Sequence, residues 1–544
     1  MTIRCLSILS LVLLLSACEP SGESPAAGAA PVAESVQVTG GAIRGSAGTD
    51  GLKQYRGIPY AAPPVGRLRW APPAPVEPWQ GERSAVEPRP ACMQPVGQGG
   101  SFYGEQGFPM SEDCLTLNVW TRADHEGEQL PVMVWVHGGA LVTGRGDAYP
   151  GELLTSKGVV LVTINYRLGR FGFFAHPELS AEQAQGASGN QGIRDQIQAL
   201  QWVQDNIRQF GGDPDNVTIF GESAGSLSMS LLQASPLAKG LFHRVIGQSG
   251  GAFQPMWFRD RATQYADSAE ALGERFAAAL AGGSDEVAMA DLRELSADHV
   301  LEVINSAPEF SNYDSLAIVD GEVIPDEVAR IFATGRQADV PVMIGSNANE
   351  GTTFLEFFTP IFGEGSQGFA AYSEATLPEV AQGIGEHYAD DPREAWADLF
   401  SDVLFAYPMR AWARSMANVD SDAYLYWFTW SPPVANKEWY RAFHAGEIGY
   451  VFGNLTMFNA TPEPEDHQLS EMMAEIWTQF ARTGDPNGPG LPSWAPYSAD
   501  TETYMELGIE TGQKSELRIA QMEMIEKAWA QRRTRGTFES ITAD

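Results

Sequence analysis

The chain has 544 residues, of which 44% are hydrophobic and 14 are tryptophan, so it can bury a sizeable core. Its 69 acidic residues outnumber its 35 basic residues and give a formal net charge of -34. Such a field repels polyanions, which excludes nucleic acid and anionic lipid head groups as expected ligands. The charge could steer a cationic substrate, but solubility or life in a salty medium is the plainer explanation.

The first eighteen residues have the pattern of an export signal. Arg4 precedes an apolar run over residues 6–15, which is too short to cross a bilayer as a permanent helix. The run ends in Leu-Ser-Ala-Cys, which resembles the lipobox of bacterial lipoproteins. We therefore expect residues 1–17 to be removed and Cys18 to be lipidated, with an ordinary cleaved signal and a periplasmic or secreted protein as the alternative. Residues 18–35 are rich in Pro, Ala, Gly, Ser and Glu, which predicts a flexible tether.

The cysteine count predicts one disulfide. Of four cysteines, Cys5 lies in the signal and Cys18 at its end, which leaves Cys92 and Cys114. One remaining pair in an exported protein is expected to be oxidised, closing a loop of about twenty residues. Two free thiols are the alternative.

The rest of the chain, residues 36–535, is predicted to form a single large α/β domain with insertions, since no second low-complexity linker or internal repeat interrupts it. Predicted strands alternate with predicted helices. The strands are expected at 115–120, 132–136, 159–165, 217–220 and 342–345, the helices at 191–209, 224–232 and 469–482, and a turn at 213–216. Residues 354–416 and the chain beyond residue 506 show no clear pattern.

A glycine-containing segment follows the apolar strand predicted at 132–136. There the sequence reads His137-Gly138-Gly139-Ala140, in which unhindered backbone N–H groups can point into a site. Fixed N–H donors stabilise the negative charge that develops on a carbonyl oxygen during acyl transfer. The amides of Gly139 and Ala140 are therefore candidate donors, and an ordinary Gly-rich turn is the alternative.

The sequence VTIFGESAG at 217–225 contains a G-x-S-x-G motif between a predicted strand and a predicted helix. A sharp strand-to-helix turn holds a serine proud of the backbone and within reach of a base. Gly221 and Gly225 remove the Cβ atoms that would collide in such a turn. The motif predicts Ser223 as a nucleophile and the amide of Ala224 as a third N–H donor.

The base and the acid are expected downstream of Ser223, in the order acid then histidine. Glu350 lies in a loop at the carboxyl end of the strand predicted at 342–345, where catalytic groups of open α/β sheets gather. His444 lies in a small-residue loop before an apolar segment and is the predicted base. Asp320, in a predicted hairpin turn, is the rival acid, and Glu350 could instead be a solvated loop carboxylate. The other histidines after Ser223 are expected near the surface: His243, His299, His387 and His467.

Taken together, these motifs resemble the type B carboxylesterases, the family that includes the cholinesterases, over nearly the whole region after the tether. The matching stretches include QYRGIPYAAPPVGRLRW, SEDCLTLNVW, VWVHGGA, GNQGIRDQIQALQWVQDNI, NANEGTTF and FHAGEIGYVFGN. The resemblance implies an α/β-hydrolase fold, with a large, mostly parallel central sheet flanked by helices. It also implies Ser223 as nucleophile, Glu350 as acid, His444 as base, a Cys92–Cys114 disulfide, and no metal or organic cofactor.

The resemblance extends to neighbours of the site. Glu222 and Ser249 match positions that support the site in the family, although each could be a purely structural polar group. The oxyanion hole implied by the resemblance comprises Gly139, Ala140 and Ala224, and Ala140 replaces a glycine common in the family. Its backbone N–H is retained.

Choline specificity is not supported. The loop between Cys92 and Cys114 lacks the tryptophan that cholinesterases use to hold quaternary ammonium. Phe102, Tyr103 and Phe108 are the aromatic residues there that could substitute.

The sequence therefore predicts a hydrolase of small-molecule carboxylic esters that works through an acyl-enzyme. Hydrolysis of amides, carbamates or thioesters by the same residues is the alternative, and a non-catalytic binding protein is disfavoured because all three triad residues are present. Contact with a membrane is expected only through the lipid on Cys18. The pattern predicts no particular oligomeric state.

Overall fold

The computed structural model describes residues 34–95, 107–263, 266–284, 287–310, 316–508 and 510–537. The predicted signal, Cys18 and most of the predicted tether lie outside these residues, as do Phe102 and Tyr103. None of the helices in the described ranges has the length and apolar character needed to span a bilayer.

One large sheet dominates the described structure. The strands are β1 Ser35–Val38, β2 Gly41–Arg44, β3 Ser46–Ala47, β4 Lys53–Pro59, β5 Glu82–Ser84, β6 Thr116–Thr121, β7 Leu130–Val136, β8 Val160–Ile164, β9 Gly212–Glu222, β10 Arg244–Gln248, β11 Val342–Asn347, β12 Ala423–Phe428, β13 Thr503–Leu507 and β14 Gly512–Ser515. Eleven of them form the sheet in the order β14-β13-β12-β11-β10-β9-β7-β8-β6-β4-β3. The seven strands from β13 to β8 are parallel, and the pairs at both edges are antiparallel. The expected large, mostly parallel sheet is confirmed.

Helices connect and cover the strands. They are α1 Glu152–Ser156, α2 Gly169–Gly172, α3 Pro177–Ala181, α4 Gln191–Asn206, α5 Ala224–Ala234, α6 Ala269–Leu280, α7 Met289–Arg293, α8 Ala297–Ser306, α9 Val328–Ala333, α10 Leu355–Phe362, α11 Gly365–Thr376, α12 Pro392–Ser401, α13 Tyr407–Ser415, α14 Lys437–Tyr440, α15 Ile448–Phe452, α16 Pro464–Thr483 and α17 Ile519–Thr537. A π-helical turn, Asp402–Ala406, joins α12 to α13. The segment without a clear sequence pattern, 354–416, is thus mostly helical.

The sheet is buried on both faces, as the strand β7 illustrates. Val132, Val134 and Val136 belong to the apolar core on one face, together with residues of α4, α5 and α13. Met133 and Trp135 belong to the core on the other face, together with residues of α15 and α16. Alternate side chains of a strand point to opposite faces, so a strand covered on both sides is apolar throughout.

The strands and helices predicted from the sequence are present, with ends moved by a few residues. The turn expected at 213–216 is wrong, because these residues lie within β9. The pairing of β9 with β7 shifts there: Leu130 lies opposite Gly212, but Val132 lies opposite Val217. The extra residues bulge from the strand, and this explains a turn-like sequence inside an element of the sheet.

The predicted disulfide is confirmed. Cys92 and Cys114 are bonded, with an S–S distance of 2.02 Å and a separation of 22 residues along the chain. Both cysteines are buried. The bond joins Cys114, two residues before β6, to Cys92 in the segment that follows β5.

Removing this bond is expected to destabilise the protein. In the double variant Cys92→Ala/Cys114→Ala, the free energy of unfolding should fall by about 3 kcal/mol, because the unfolded chain regains the freedom of a loop of this size. Urea unfolding of both proteins without reductant measures the difference. Adding reductant to unfolded wild-type protein should reproduce the loss, whereas equal midpoints in all three samples would contradict the prediction.

Candidate active site

Ser223 lies in the sharp turn between β9 and α5, at the carboxyl end of the central strands. Its backbone has φ 56° and ψ -120°, a conformation that non-glycine residues rarely adopt. A Cβ on Gly221 would lie 2.6 Å from the carbonyl oxygen of Val136, and one on Gly225 would lie 2.0 Å from it. The turn therefore packs so closely on β7 that only glycine fits at both positions.

The loop after β7 packs against this turn. A Cβ on Gly138 would lie 2.8 Å from Glu222 Oε2 and 3.1 Å from Ser223 Cβ. Gly139 and Ala140 both have positive φ, 99° and 57°, which turn the chain back at this point. Ala140 tolerates the left-handed conformation that a glycine would adopt without strain.

The amides of Gly139, Ala140 and Ala224 lie in these two segments. Ala224 is the first residue of α5, so its N–H has no acceptor within the helix. Among the described residues, the backbone bonds of loops, turns and helix caps include none that is donated by these three N–H groups. They are available as donors beside Ser223.

His137 holds the loop in place, a role that sequence reasoning missed. Its ring stacks on Tyr166 with centroids 4.5 Å apart, and Tyr166 Oη donates to its carbonyl oxygen at 2.9 Å. Burial lowers the pKa of His137 to about 4, so the ring is neutral at physiological pH. Nδ1 lies 2.8 Å from the carbonyl oxygen of Gly138 and must carry the proton to donate there.

Glu350 and His444 are in contact. Glu350 follows β11, is fully buried, and places Oε2 2.6 Å from His444 Nδ1. Its other oxygen, Oε1, accepts the backbone N–H of Asn347 at 2.7 Å. Glu350 is therefore not a solvated loop carboxylate. The rival, Asp320, instead accepts the backbone N–H groups of Glu322 and Ile324 within its own turn.

Glu222 lies on the other side of the imidazole, with Oε1 3.1 Å from His444 Nε2. Burial and the charges of Glu447 and Glu350 raise the pKa of Glu222 well above its ordinary value, against the opposing effect of His444. Burial disfavours the imidazolium, but Glu222 and Glu350 outweigh it and raise the pKa of His444 to about 9. At neutral pH, this cluster therefore holds a proton.

A buried amide and carboxylate network supports the cluster and was also missed. Glu447 accepts Gln248 Nε2 at 3.0 Å on one oxygen and Asn347 Nδ2 at 2.5 Å on the other. Trp477 Nε1 donates to Gln248 Oε1 at 2.9 Å. The available sequence signal was Glu447 itself, a carboxylate three residues after His444 in an otherwise apolar segment.

Ser249 is fully buried where β10 ends beside β11. Its φ is 59°, and its backbone N–H donates to the carbonyl oxygen of Gly345 at 2.7 Å. Its hydroxyl has no hydrogen-bond partner among the described residues. In this structure, its contribution to the site is the backbone link between the two strands.

Aromatic side chains form a wall beside His444. The rings of Phe354 and Phe405 lie 5.0 Å and 4.5 Å from the imidazole, centroid to centroid. Phe405 belongs to the π-helical turn, a conformation often found at functional sites. Phe108, a candidate for cation binding, already lies beneath the guanidinium of Arg145 at 5.1 Å.

Within the described residues, none of the other histidines after Ser223 is hydrogen-bonded to these groups. Nδ1 of the half-buried His243 accepts the backbone N–H of Val217, and His299 Nε2 lies 3.1 Å from the carbonyl oxygen of Leu280. His387 and His467 are exposed. His467 is at the surface as expected and lies on α16. Within the residues the structure describes, no cluster of three or more His, Cys, Asp or Glu could hold a metal ion.

A parallel sheet that carries a strained serine after one strand, a glutamate after another, and a histidine bonded to that glutamate is the arrangement of the α/β-hydrolases. The chain belongs to the carboxylesterase family, whose model matches residues 32–525. It is a serine hydrolase of carboxylic esters, and its substrates are small-molecule esters.

The named relatives that match most of this chain are also esterases. The chain is 33% identical to carboxylesterase 1C of Rattus norvegicus over 510 residues, 86% of this chain and 88% of that protein. It is 34% identical to cocaine esterase of Homo sapiens over 530 residues, 91% of this chain and 90% of that one. A solved structure titled PNB esterase is 32% identical, with a TM-score of 0.77 over 90% of this chain and 99% of its own.

Proposed function

We propose that the chain hydrolyses carboxylic esters through an acyl-enzyme formed on Ser223, with His444 as the base and Glu350 as the acid that orients it. The observation that carries the proposal is the buried contact of 2.6 Å between Glu350 Oε2 and His444 Nδ1. It assigns the proton on the ring to Nδ1 and leaves Nε2 as the basic nitrogen. Glu222, the residue before Ser223, places Oε1 3.1 Å from Nε2, so Nε2 faces the chain segment that carries the serine.

Acylation begins when Ser223 Oγ attacks the ester carbonyl carbon and its proton passes to His444 Nε2. The oxygen of the tetrahedral intermediate accepts hydrogen bonds from the backbone N–H groups of Gly139, Ala140 and Ala224. Each such donor typically stabilises the transition state by about 3 kcal/mol. The carbon–oxygen bond to the alcohol then breaks, and the imidazolium returns the proton to the leaving oxygen. Water, activated by His444, repeats the sequence and releases the acid.

An organophosphate and a set of p-nitrophenyl esters, from acetyl to palmitoyl, test the proposal. The expected results are one phosphyl group per chain on Ser223, found by peptide mass spectrometry, and a short-chain optimum in kcat/KM. Labelling of another residue, or none in a folded sample, would overturn it. Matched ester and amide substrates complete the test, because a higher kcat/KM for the amide would place the chain among amidases.

The pH dependence of kcat/KM should report the carboxylates around His444. Only the neutral imidazole of His444 can accept the serine proton, and the pKa of His444 is raised to about 9. The value of kcat/KM should therefore increase with pH and reach half its maximum near pH 9. In Glu222→Gln, the loss of a negative charge 3.1 Å from Nε2 should lower that midpoint by about one pH unit. Profiles from pH 6 to 10 with a non-ionising ester measure it.

The matched control for this pH experiment is Glu471→Gln, which removes an exposed carboxylate on α16. Its midpoint should equal that of the wild type. An unchanged midpoint in Glu222→Gln would show that Glu222 is neutral in the free enzyme. An increase in the midpoint would contradict the prediction that the charge of Glu222 raises the pKa of His444.

We also propose that residues 36–535 form one catalytic domain, joined by the tether 18–35 to a lipid on Cys18. The lipobox-like sequence before Cys18 supports this anchor, and β1 begins at Ser35, the last residue of the tether segment. In Cys18→Ser, the protein should leave the membrane fraction. Unchanged retention on membranes would contradict the anchor.

A further inference from the structure

We infer that Asn347 is a positioning residue that sets the geometry between the acid and the base, an inference that rests on the proposed function. Asn347 is the last residue of β11 and is fully buried. Its backbone N–H donates to Glu350 Oε1 at 2.7 Å. Its side-chain Nδ2 donates to the carbonyl oxygen of Phe443 at 2.8 Å. One residue thus holds the acid and the peptide that directly precedes His444.

The chemistry of the side chain explains why an amide is required. Nδ2 has two hydrogens, and both have acceptors: the Phe443 carbonyl and, at 2.5 Å, Glu447 Oε2. With the amide reversed, its oxygen would face two acceptors. The orientation of Asn347 is therefore fixed, and an ionised aspartate in its place would offer no donor to either partner, whereas a protonated one could donate to only one of them.

The backbone of Asn347 is fixed by its place at the end of β11. It pairs with Phe428 of the neighbouring parallel strand β12 in the register of the sheet. A residue held by the sheet on one side, and bonded to both triad loops on the other, transmits the rigidity of the sheet to the contact between Glu350 and His444. Supporting groups of this kind keep catalytic side chains within fractions of an ångström of the productive geometry.

Separate bonds hold the two loops together without the Asn347 side chain. The backbone N–H of Asn349 donates to the Ala442 carbonyl at 2.9 Å, and Thr352 Oγ1 donates to the Tyr440 carbonyl at 3.0 Å. Trp439 Nε1 donates to the Thr352 carbonyl at 3.0 Å. These bonds remain when Asn347 is replaced, so the loops stay docked while the placement of His444 relaxes.

The test compares Asn347→Ala and Asn347→Asp with the matched control Asn349→Ala. Asn349 lies two residues further along the same loop, and the hydrogen bond that its side chain accepts from Ala442 N is long, 3.4 Å. Both Asn347 variants should lose about 100-fold in kcat with little change in KM, since a misplacement of about 1 Å has this effect. Asn349→Ala should stay within about twofold of the wild type, as expected for a long and weak bond.

The pH profile separates positioning from charge. Asn347→Asp places a carboxyl group against Glu447, in the cluster around His444. Where this group is ionised, it should move the midpoint of kcat/KM to higher pH, because a further negative charge favours the imidazolium. Asn347→Ala adds no charge and should leave the midpoint in place while kcat falls. A wild-type kcat in either variant, or equal kcat losses in Asn347→Ala and Asn349→Ala, would overturn the inference.

A double variant isolates the contact with Phe443. In Asn347→Asp/Glu447→Gln, the new glutamine amide can donate to the new aspartate, which restores that bond in reverse, but the Phe443 carbonyl still lacks a donor. We expect kcat to remain low, and full recovery would transfer the role to the Glu447 contact and overturn the inference. Organophosphate labelling of Ser223 should stay stoichiometric but slower in the Asn347 variants. Absence of labelling in the wild type would instead refute the proposed function.

Discussion

Ser223→Ala is expected to lower kcat for a p-nitrophenyl ester by about a million-fold, the size of loss seen when a serine nucleophile is removed. The acyl-enzyme cannot form without the hydroxyl, and only binding and the amide donors remain to assist direct attack by water. KM should change little, because the serine oxygen contributes to the transition state more than to ground-state binding. Steady-state kinetics with active-site titration measures the change.

The fold should tolerate this substitution. Alanine is smaller than serine and faces the same backbone conformation, φ 56°, that Ser223 already adopts. Thermal unfolding should therefore occur near the wild-type temperature. An active Ser223→Ala variant, free of wild-type contamination, would show that the nucleophile is assigned wrongly.

Ser230→Ala is the matched control for the nucleophile. Ser230 lies in the same helix, α5, and its hydroxyl donates to the Leu227 carbonyl at 2.8 Å and accepts the Ala252 N–H at 3.0 Å. Both bonds are structural, so this variant should lose about 1 kcal/mol of stability and keep its kcat. A comparable loss of kcat would mean that small changes in α5 inactivate the enzyme and that the first experiment does not isolate the nucleophile.

The parts of the fold that could be predicted are those encoded by local pattern. β7 reads as a continuous apolar run because both of its faces are covered, and the G-x-S-x-G turn is visible because two glycines are forced by contact with Val136. The prediction of a turn at 213–216 was wrong because local pattern was not decisive there. Local residues favoured a turn, but pairing with β7 absorbed them as a bulge in β9.

The supporting residues of the site could not be predicted in the same way. Asn347 and Phe443 are 96 residues apart, and Gln248 and Glu447 are 199 apart. No local spacing records such contacts, since they exist only when parallel strands bring distant loops to one edge of the sheet. The proposed acid, Glu350, and the proposed base, His444, could be selected from the sequence because Glu350 follows a predicted strand and His444 lies in a loop of small residues.

Likewise, the chemistry of His444 depends on charges that sequence order does not reveal. Glu222 was predicted only as a supporting residue, yet its carboxylate lies 3.1 Å from Nε2. With Glu350, it raises the pKa of His444 to about 9 despite burial. The proposed base therefore lies in a cluster of charged groups, and we expect the number of protons that the cluster holds to set the working pH.

Glu350→Gln is expected to lower kcat by about 10,000-fold while the fold is retained, as for the equivalent change in other serine hydrolases. The structure gives the reason. The backbone N–H of Asn347 donates to Oε1 at 2.7 Å, so the glutamine oxygen must occupy that place. The glutamine NH₂ group then faces His444 Nδ1, which must accept rather than donate. The ring proton moves to Nε2, and the nitrogen that should take the serine proton already carries one.

The change also removes a negative charge from the cluster, so the pKa of His444 should fall and the midpoint of kcat/KM should move to lower pH. Raising the pH would not restore activity, because the tautomer rather than the protonation state is wrong. The control is Asp320→Asn, which replaces the rival carboxylate in its turn between Val319 and Ile324. It should weaken the turn and leave kcat unchanged. The reverse result, an active Glu350→Gln and an inactive but folded Asp320→Asn, would transfer the role of the acid to Asp320.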